Sequence, residues 1–111
     1  MRDGDVIVKL AETIRVRRAA DGGGSYTRQL LDKGPVYCAR KFGEEAVELV
    51  LAAAVEDGRA LTNEAADVLY HLLVVLESRG VAIGDVLAAL EARMAQSGLA
   101  EKAARAEKAP G

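Results

Sequence analysis

Leu61-Thr62-Asn63-Glu64-Ala65-Ala66-Asp67-Val68-Leu69-Tyr70-His71-Leu72-Leu73-Val74-Val75-Leu76 is the stretch from which the fold can be read. At 100° per residue, Leu61, Ala65, Val68, Leu69, Leu72, Leu73, Val75 and Leu76 cover too many directions for a single amphipathic stripe. A helix whose later half is apolar nearly all round is buried on more than one side, within a bundle or at a dimer interface. The pattern predicts a helix from about Arg59 to Ser78, closed by Gly80.

Working outward, Gly58 separates this helix from a second long one over Pro35–Asp57. Its broad apolar face is Val36, Ala39, Ala46, Val47, Val50, Leu51 and Ala54. Pro35 suits a first helical position, where a missing N–H loses nothing, and Gly43 inside the helix costs about 1 kcal/mol relative to alanine. Upstream, Ser25 caps a short helix from Tyr26 to Lys33 that Gly34 ends. Ile7, Leu10 and Ile14 recur at i, i+3 and i+7, with Val6 and Ala11 flanking, and predict a first helix. That helix should stop before Asp21-Gly22-Gly23-Gly24, because consecutive glycines are entropically expensive in a regular element. Downstream, Val81 to Ile83 lead into a last helix with Val86, Leu87, Leu90 and Met94 on its inner face. Nothing alternates with period two, so no strand is expected. The fold class is all-α, a bundle of four main helices and one short one within residues 1–95. Over residues 96–111 only Leu99 is large and apolar, and this Ala/Lys/Glu stretch reads as a tail, either frayed helix or disordered.

The composition narrows the chemistry. The 111 residues suffice for one domain, and 17 acidic against 15 basic side chains leave a net charge of -2. That balance argues against a nucleic-acid partner held by broad phosphate neutralisation. One cysteine and one histidine build neither an internal disulfide nor the usual Cys/His zinc cages. The apolar stretch Leu72–Leu76 falls far short of the ~20 residues of a membrane span, and no signal peptide is evident behind Met1. The expectation is a soluble, cytoplasmic domain. A chain this size buries ~65% of the surface its unfolded form exposes, so self-association would hide further apolar area.

Carboxylates are the abundant reactive groups. Glu45 and Glu48 share a face of the second long helix, with Lys41 one turn before them; Glu64, Asp67 and His71 stack at i, i+3 and i+7 on the next. Two such pairs on neighbouring antiparallel helices bring four carboxylates around one volume, a donor set suited to Mg²⁺ or Mn²⁺. The other reading is a solvated face, in which Arg40–Glu44 and Lys41–Glu45 are i, i+4 pairs worth ~0.2–0.5 kcal/mol each. That reading leaves Glu48 and Glu64, whose i+4 neighbours are Ala52 and Val68, without an explanation. Arg17, Arg18, Lys33 and Lys41 are either phosphate ligands or surface charges, and Ser25, Tyr26 and Thr27 offer hydroxyls. His71 either orients Asp67, touches substrate or is a hydrogen-bonded histidine beside the core. The triple glycine lacks the Gly-Lys-Ser/Thr of a P-loop and reads as a flexible linker.

Ser25-Tyr26-Thr27, Lys33-Gly34, Lys41-x-Gly43-Glu44-Glu45-x-x-Glu48 and Glu64-Ala65-Ala66-Asp67-x-x-Tyr70-His71-Leu72-Leu73 together resemble the phosphoribosyl-ATP pyrophosphohydrolase family of histidine biosynthesis. The acidic core alone is similar to the wider MazG-like, all-α pyrophosphohydrolases; the Ser-Tyr-Thr and Tyr-His segments narrow the resemblance to the histidine-pathway branch. It implies Mg²⁺-assisted attack of water on phosphoribosyl-ATP and a homodimer or higher assembly. Glu45, Glu48, Glu64 and Asp67 become metal ligands on the matching positions, and Glu44 a further ligand or the group that orients the attacking water. Two departures, Gly22-Gly23-Gly24 and Pro35-Val36-Tyr37-Cys38, leave the acidic core intact. Two competing expectations stand beside it: a house-cleaning nucleoside triphosphate pyrophosphohydrolase, and a non-catalytic helical dimerisation module.

Overall fold

Five helices follow one another in a computed structural model that describes residues 2–20, 25–55 and 57–108. They are α1 (Asp3–Ala19), α2 (Tyr26–Asp32), α3 (Pro35–Val55), α4 (Gly58–Ser78) and α5 (Ile83–Lys108), and no strand occurs among the described residues. The segment Asp21–Gly24, read above as a helix stop and linker, lies outside the described residues.

Local chemistry sets most boundaries. The Ser25 hydroxyl accepts from the Arg28 backbone N–H at the start of α2. Gly34 sits at φ +92° where α2 turns into α3, a left-handed conformation that L side chains rarely adopt. Gly80 ends α4 at φ +70°, with its N–H donating to Glu77 and that of Val81 to Leu76; this paired return to the last carbonyls is a Schellman motif. Sequence reasoning misses at the α3–α4 corner. Asp57, expected to close α3, instead caps α4, its side chain accepting from the Ala60 N–H at 3.0 Å, so Gly58 becomes the first residue of α4. A carboxylate at an N-cap satisfies an otherwise orphaned donor.

The α3–α4 hairpin is the centre of the molecule, with the most extensive contact between any two helices. Against one end of it, α1 and α2 close a small core of Ile14, Leu30, Leu31, Cys38, Leu73 and Val74. The Cys38 thiol is buried and donates to the Leu30 carbonyl, and burial pushes its pKa up. Arg18 ties α1 to the far end of α4, donating to the Glu77 carbonyl and pairing with its carboxylate at 3.3 Å.

The helix α5 departs from expectation. Val86 and Leu87 are half-buried, but Leu90 and Met94, expected on an inner face, are exposed. The backbone stays helical past Gln96 to Lys108, and this protruding helix stretches the molecule to 69 × 35 × 31 Å. Ile83, Val86 and Leu87 are half-buried at its start, whereas the described α5 side chains from Ala88 onward are exposed.

Candidate active site

Three of the acids converge where α3 and α4 lie side by side. Glu45, Glu48 and Glu64 each offer one carboxylate oxygen, and these three oxygens lie within 4.8 Å of one another. The helical geometry supplies the first two, three residues apart on one face of α3; the antiparallel hairpin supplies the third. Asp67, one turn beyond Glu64, is exposed and outside this trio.

Glu44 and Glu45 are neighbours with different surroundings. Lys41 Nζ is 3.7 Å from each, yet the Glu44 side chain is 59% exposed and that of Glu45 only 14%. Glu45 also faces α4, where His71 Nε2 lies 4.0 Å from its Oε1. His71 is only 6% exposed, walled edge-on by Tyr70 and Tyr26 at ring separations of 5.1 and 6.4 Å. Burial holds the imidazole pKa below its ordinary value, opposed by Glu45 and Asp67 and aided by Lys41. Lys41 is held above its usual value by the Tyr26 phenol first, with Glu44 and Glu45 adding.

The hydroxyl segment divides in three. Ser25 is engaged as the α2 cap. Thr27 is buried, with its hydroxyl hydrogen-bonded to the Tyr70 phenol at 2.5 Å. Tyr26 alone is half in solvent, beside His71. Of the basic candidates, Lys33 lies over the Tyr37 ring at 4.5 Å, with Arg40 at 5.3 Å from the same ring. Arg17 is exposed in the last turn of α1. Arg18 is paired with Glu77, about 20 Å along α4 from Glu64 at 1.5 Å per residue. The structure therefore gathers Glu45, Glu48, Glu64, Lys41, His71 and Tyr26, leaves Glu44 and Asp67 at the rim, and sets Arg18 at the other end of the bundle. Sequence reasoning gave no role to Tyr70 as the partner of Thr27, or to Tyr37 as the seat of two cations. The i+4 spacing of Lys33 and Tyr37 carried a signal for the second; nothing local signalled the first.

Carboxylate oxygens gathered this closely repel one another unless a cation offsets them. All three donors are hard oxygens, the set preferred by small divalent ions over softer metals, so the cluster is a candidate cation site.

Comparison with known proteins agrees with this geometry. The family model for phosphoribosyl-ATP pyrophosphohydrolase matches residues 7–94, a span that contains α2, α3, α4 and every acid of the cluster. The chain is 59% identical over 98 residues to phosphoribosyl-ATP pyrophosphatase 1 of Bradyrhizobium diazoefficiens, covering 88% of this chain and 92% of that protein. It is 57% identical over 96 residues to the protein of the same name in Rhodopseudomonas palustris, covering 86% and 90%. With the phosphoribosyl-ATP pyrophosphatase of Cereibacter sphaeroides it shares 54% identity over 100 residues, 90% of this chain and 97% of the other. A match spanning both long helices and their acids, at these identities, means that the chain belongs to the phosphoribosyl-ATP pyrophosphohydrolase family.

Proposed function

We infer that the protein hydrolyses phosphoribosyl-ATP to phosphoribosyl-AMP and pyrophosphate, the second step of histidine biosynthesis. The observation that carries this reading is the convergence of Glu45, Glu48 and Glu64 within 4.8 Å in a chain of this family. These three carboxylates would hold Mg²⁺, with Mn²⁺ as a substitute, and Asp67 stands one turn from Glu64 to extend the set. When bound, the cation supplies neutralisation of phosphate charge as pyrophosphate leaves. Exposed at the rim, Glu44 is suited to orient the attacking water. Outside the acids, Tyr26 offers substrate a half-exposed ring, and Lys33, seated on Tyr37 beyond the gathered set, is a candidate phosphate contact.

The protein works as a homodimer in this reading. Val47, Val50, Leu51 and Val55 follow the i, i+3, i+4, i+8 rhythm of one face of α3, and all are exposed in the single chain. A second copy covering this face would bury side chains worth roughly 1.5–3 kcal/mol each when fully withdrawn from water.

Complementation tests the function directly. Expression should rescue a histidine auxotroph lacking this step, and the Glu64→Ala variant should fail to. Assayed side by side in Mg²⁺, phosphoribosyl-ATP should release pyrophosphate far faster than ordinary nucleoside triphosphates. The reverse preference would make the protein a house-cleaning hydrolase. Release from neither would leave the non-catalytic helical module.

A further inference from the structure

The arrangement around Glu45 goes beyond a list of ligands. Lys41 Nζ, from the same helix, and His71 Nε2, from the neighbouring helix, both address the same atom, Glu45 Oε1, at 3.7 and 4.0 Å. Neither distance is a hydrogen bond; the attraction is that of a cation and an imidazole edge acting on a half-buried carboxylate, where the local dielectric is lower than in water. His71 is itself fixed, because Tyr70 and Tyr26 wall it edge-on and Tyr70 is anchored to buried Thr27.

We propose that Lys41 and His71 form a two-helix clamp on Oε1 of Glu45, which fixes the orientation of the carboxylate that Glu45 presents alongside Glu48 and Glu64. Both are then positioning residues: they act through Glu45, and their contribution is to the readiness of the cation site. The proposal rests on the reading that this cluster holds a divalent cation. Groups outside a metal's own ligands that hold those ligands in place commonly change metal affinity 10–100-fold. Lys41 makes the proposal sharp. As a bystander cation it repels the metal, and its loss tightens binding; as part of the clamp it orients a ligand, and its loss weakens binding.

The test is Mn²⁺ binding to the substrate-free protein, by calorimetry or electron paramagnetic resonance, with thermal unfolding recorded alongside. His71→Phe keeps an aromatic ring against the two tyrosines and removes the polar Nε2 edge that faces Glu45. It should weaken Mn²⁺ binding by about tenfold while the metal-free melting temperature stays near that of the parent. His71→Gln, whose amide N–H can reach the same oxygen, should recover most of that loss. Lys41→Met should weaken binding several-fold. Tighter binding in Lys41→Met, parental binding in His71→Phe, or equal losses in His71→Phe and His71→Gln would overturn the clamp. Glu48→Gln separates this failure from that of the underlying reading: undiminished Mn²⁺ binding in that variant would overturn the cation site itself.

Discussion

On the side of α3 that meets α4, Lys41 and Glu45 are largely withdrawn from water; on the opposite side of the helix, Val47 is 59% and Val50 66% exposed. Burial energetics alone would arrange these the other way round, since charge is costly to desolvate and apolar area favours removal from water. The contrast teaches that α3 does not owe its pattern to the stability of one chain. In the proposed reading, the inner face gathers carboxylates for a cation and the outer face is the one a second copy would cover.

The comparison breaks most decisively at Glu48. Glu48→Gln removes one charge from the trio and almost no volume, so turnover should fall by roughly 10²-fold or more while the helical circular dichroism is retained. Activity close to the parent's would mean that the inner face is ordinary ion pairing. On the outer face, the double variant Val50→Lys/Leu51→Lys should shift the protein from dimer to monomer in analytical ultracentrifugation, because like charges would meet across the contact. An unchanged mass would leave those side chains without the partner proposed for them.

The degree to which each face was legible in the sequence differs for a physical reason. Period and punctuation gave all five helices: the apolar second half of α4, the Ser25 cap, and Gly34 and Gly80 at left-handed turns. These are local properties, fixed within a few residues. Placing Glu45 beside Glu48 is local too. The contact between His71 and Glu45 is not, because the register of α4 against α3 depends on Asp57 capping α4 and on Cys38 and Val74 sharing one core. Asp67 shows the same limit. It follows Glu64 by the same three residues that separate Glu48 from Glu45, yet it stands outside the trio, because spacing along one helix does not fix how that helix is rotated against its neighbour. Exposure of Leu90 and Met94 was equally illegible, since a sequence pattern says which face is apolar but not whether anything covers it.

A gentler probe sharpens the inner face by ligand linkage. A cation that binds only the folded protein stabilises it by RT ln(1 + [L]/Kd), about 2.7 kcal/mol at a hundredfold excess over Kd. Adding Mg²⁺ should therefore raise the melting temperature of the parent, chelation by EDTA should reverse the rise, and Glu48→Gln should lose most of it. An equal rise in Glu48→Gln would place the effect somewhere other than the trio.

The smallest effect concerns what supports that face from behind. Thr27 is buried, and its hydroxyl and the Tyr70 phenol satisfy each other. Thr27→Val preserves shape but leaves the phenol without its partner, which costs about 1–3 kcal/mol for a buried polar group. Tyr70→Phe orphans the other hydroxyl to similar effect. The double variant removes both polar groups at once and should come out less destabilised than the sum of the two, near neutral if the cavity keeps its shape. Urea unfolding of the four proteins measures this cycle. Strict additivity would mean that the two hydroxyls are stabilised independently, and Tyr70 would then lose its role as the anchored wall beside His71. A strongly non-additive result, with Mn²⁺ binding unchanged in the double variant, would show that the wall holds His71 through packing and that the hydroxyl pair serves the fold.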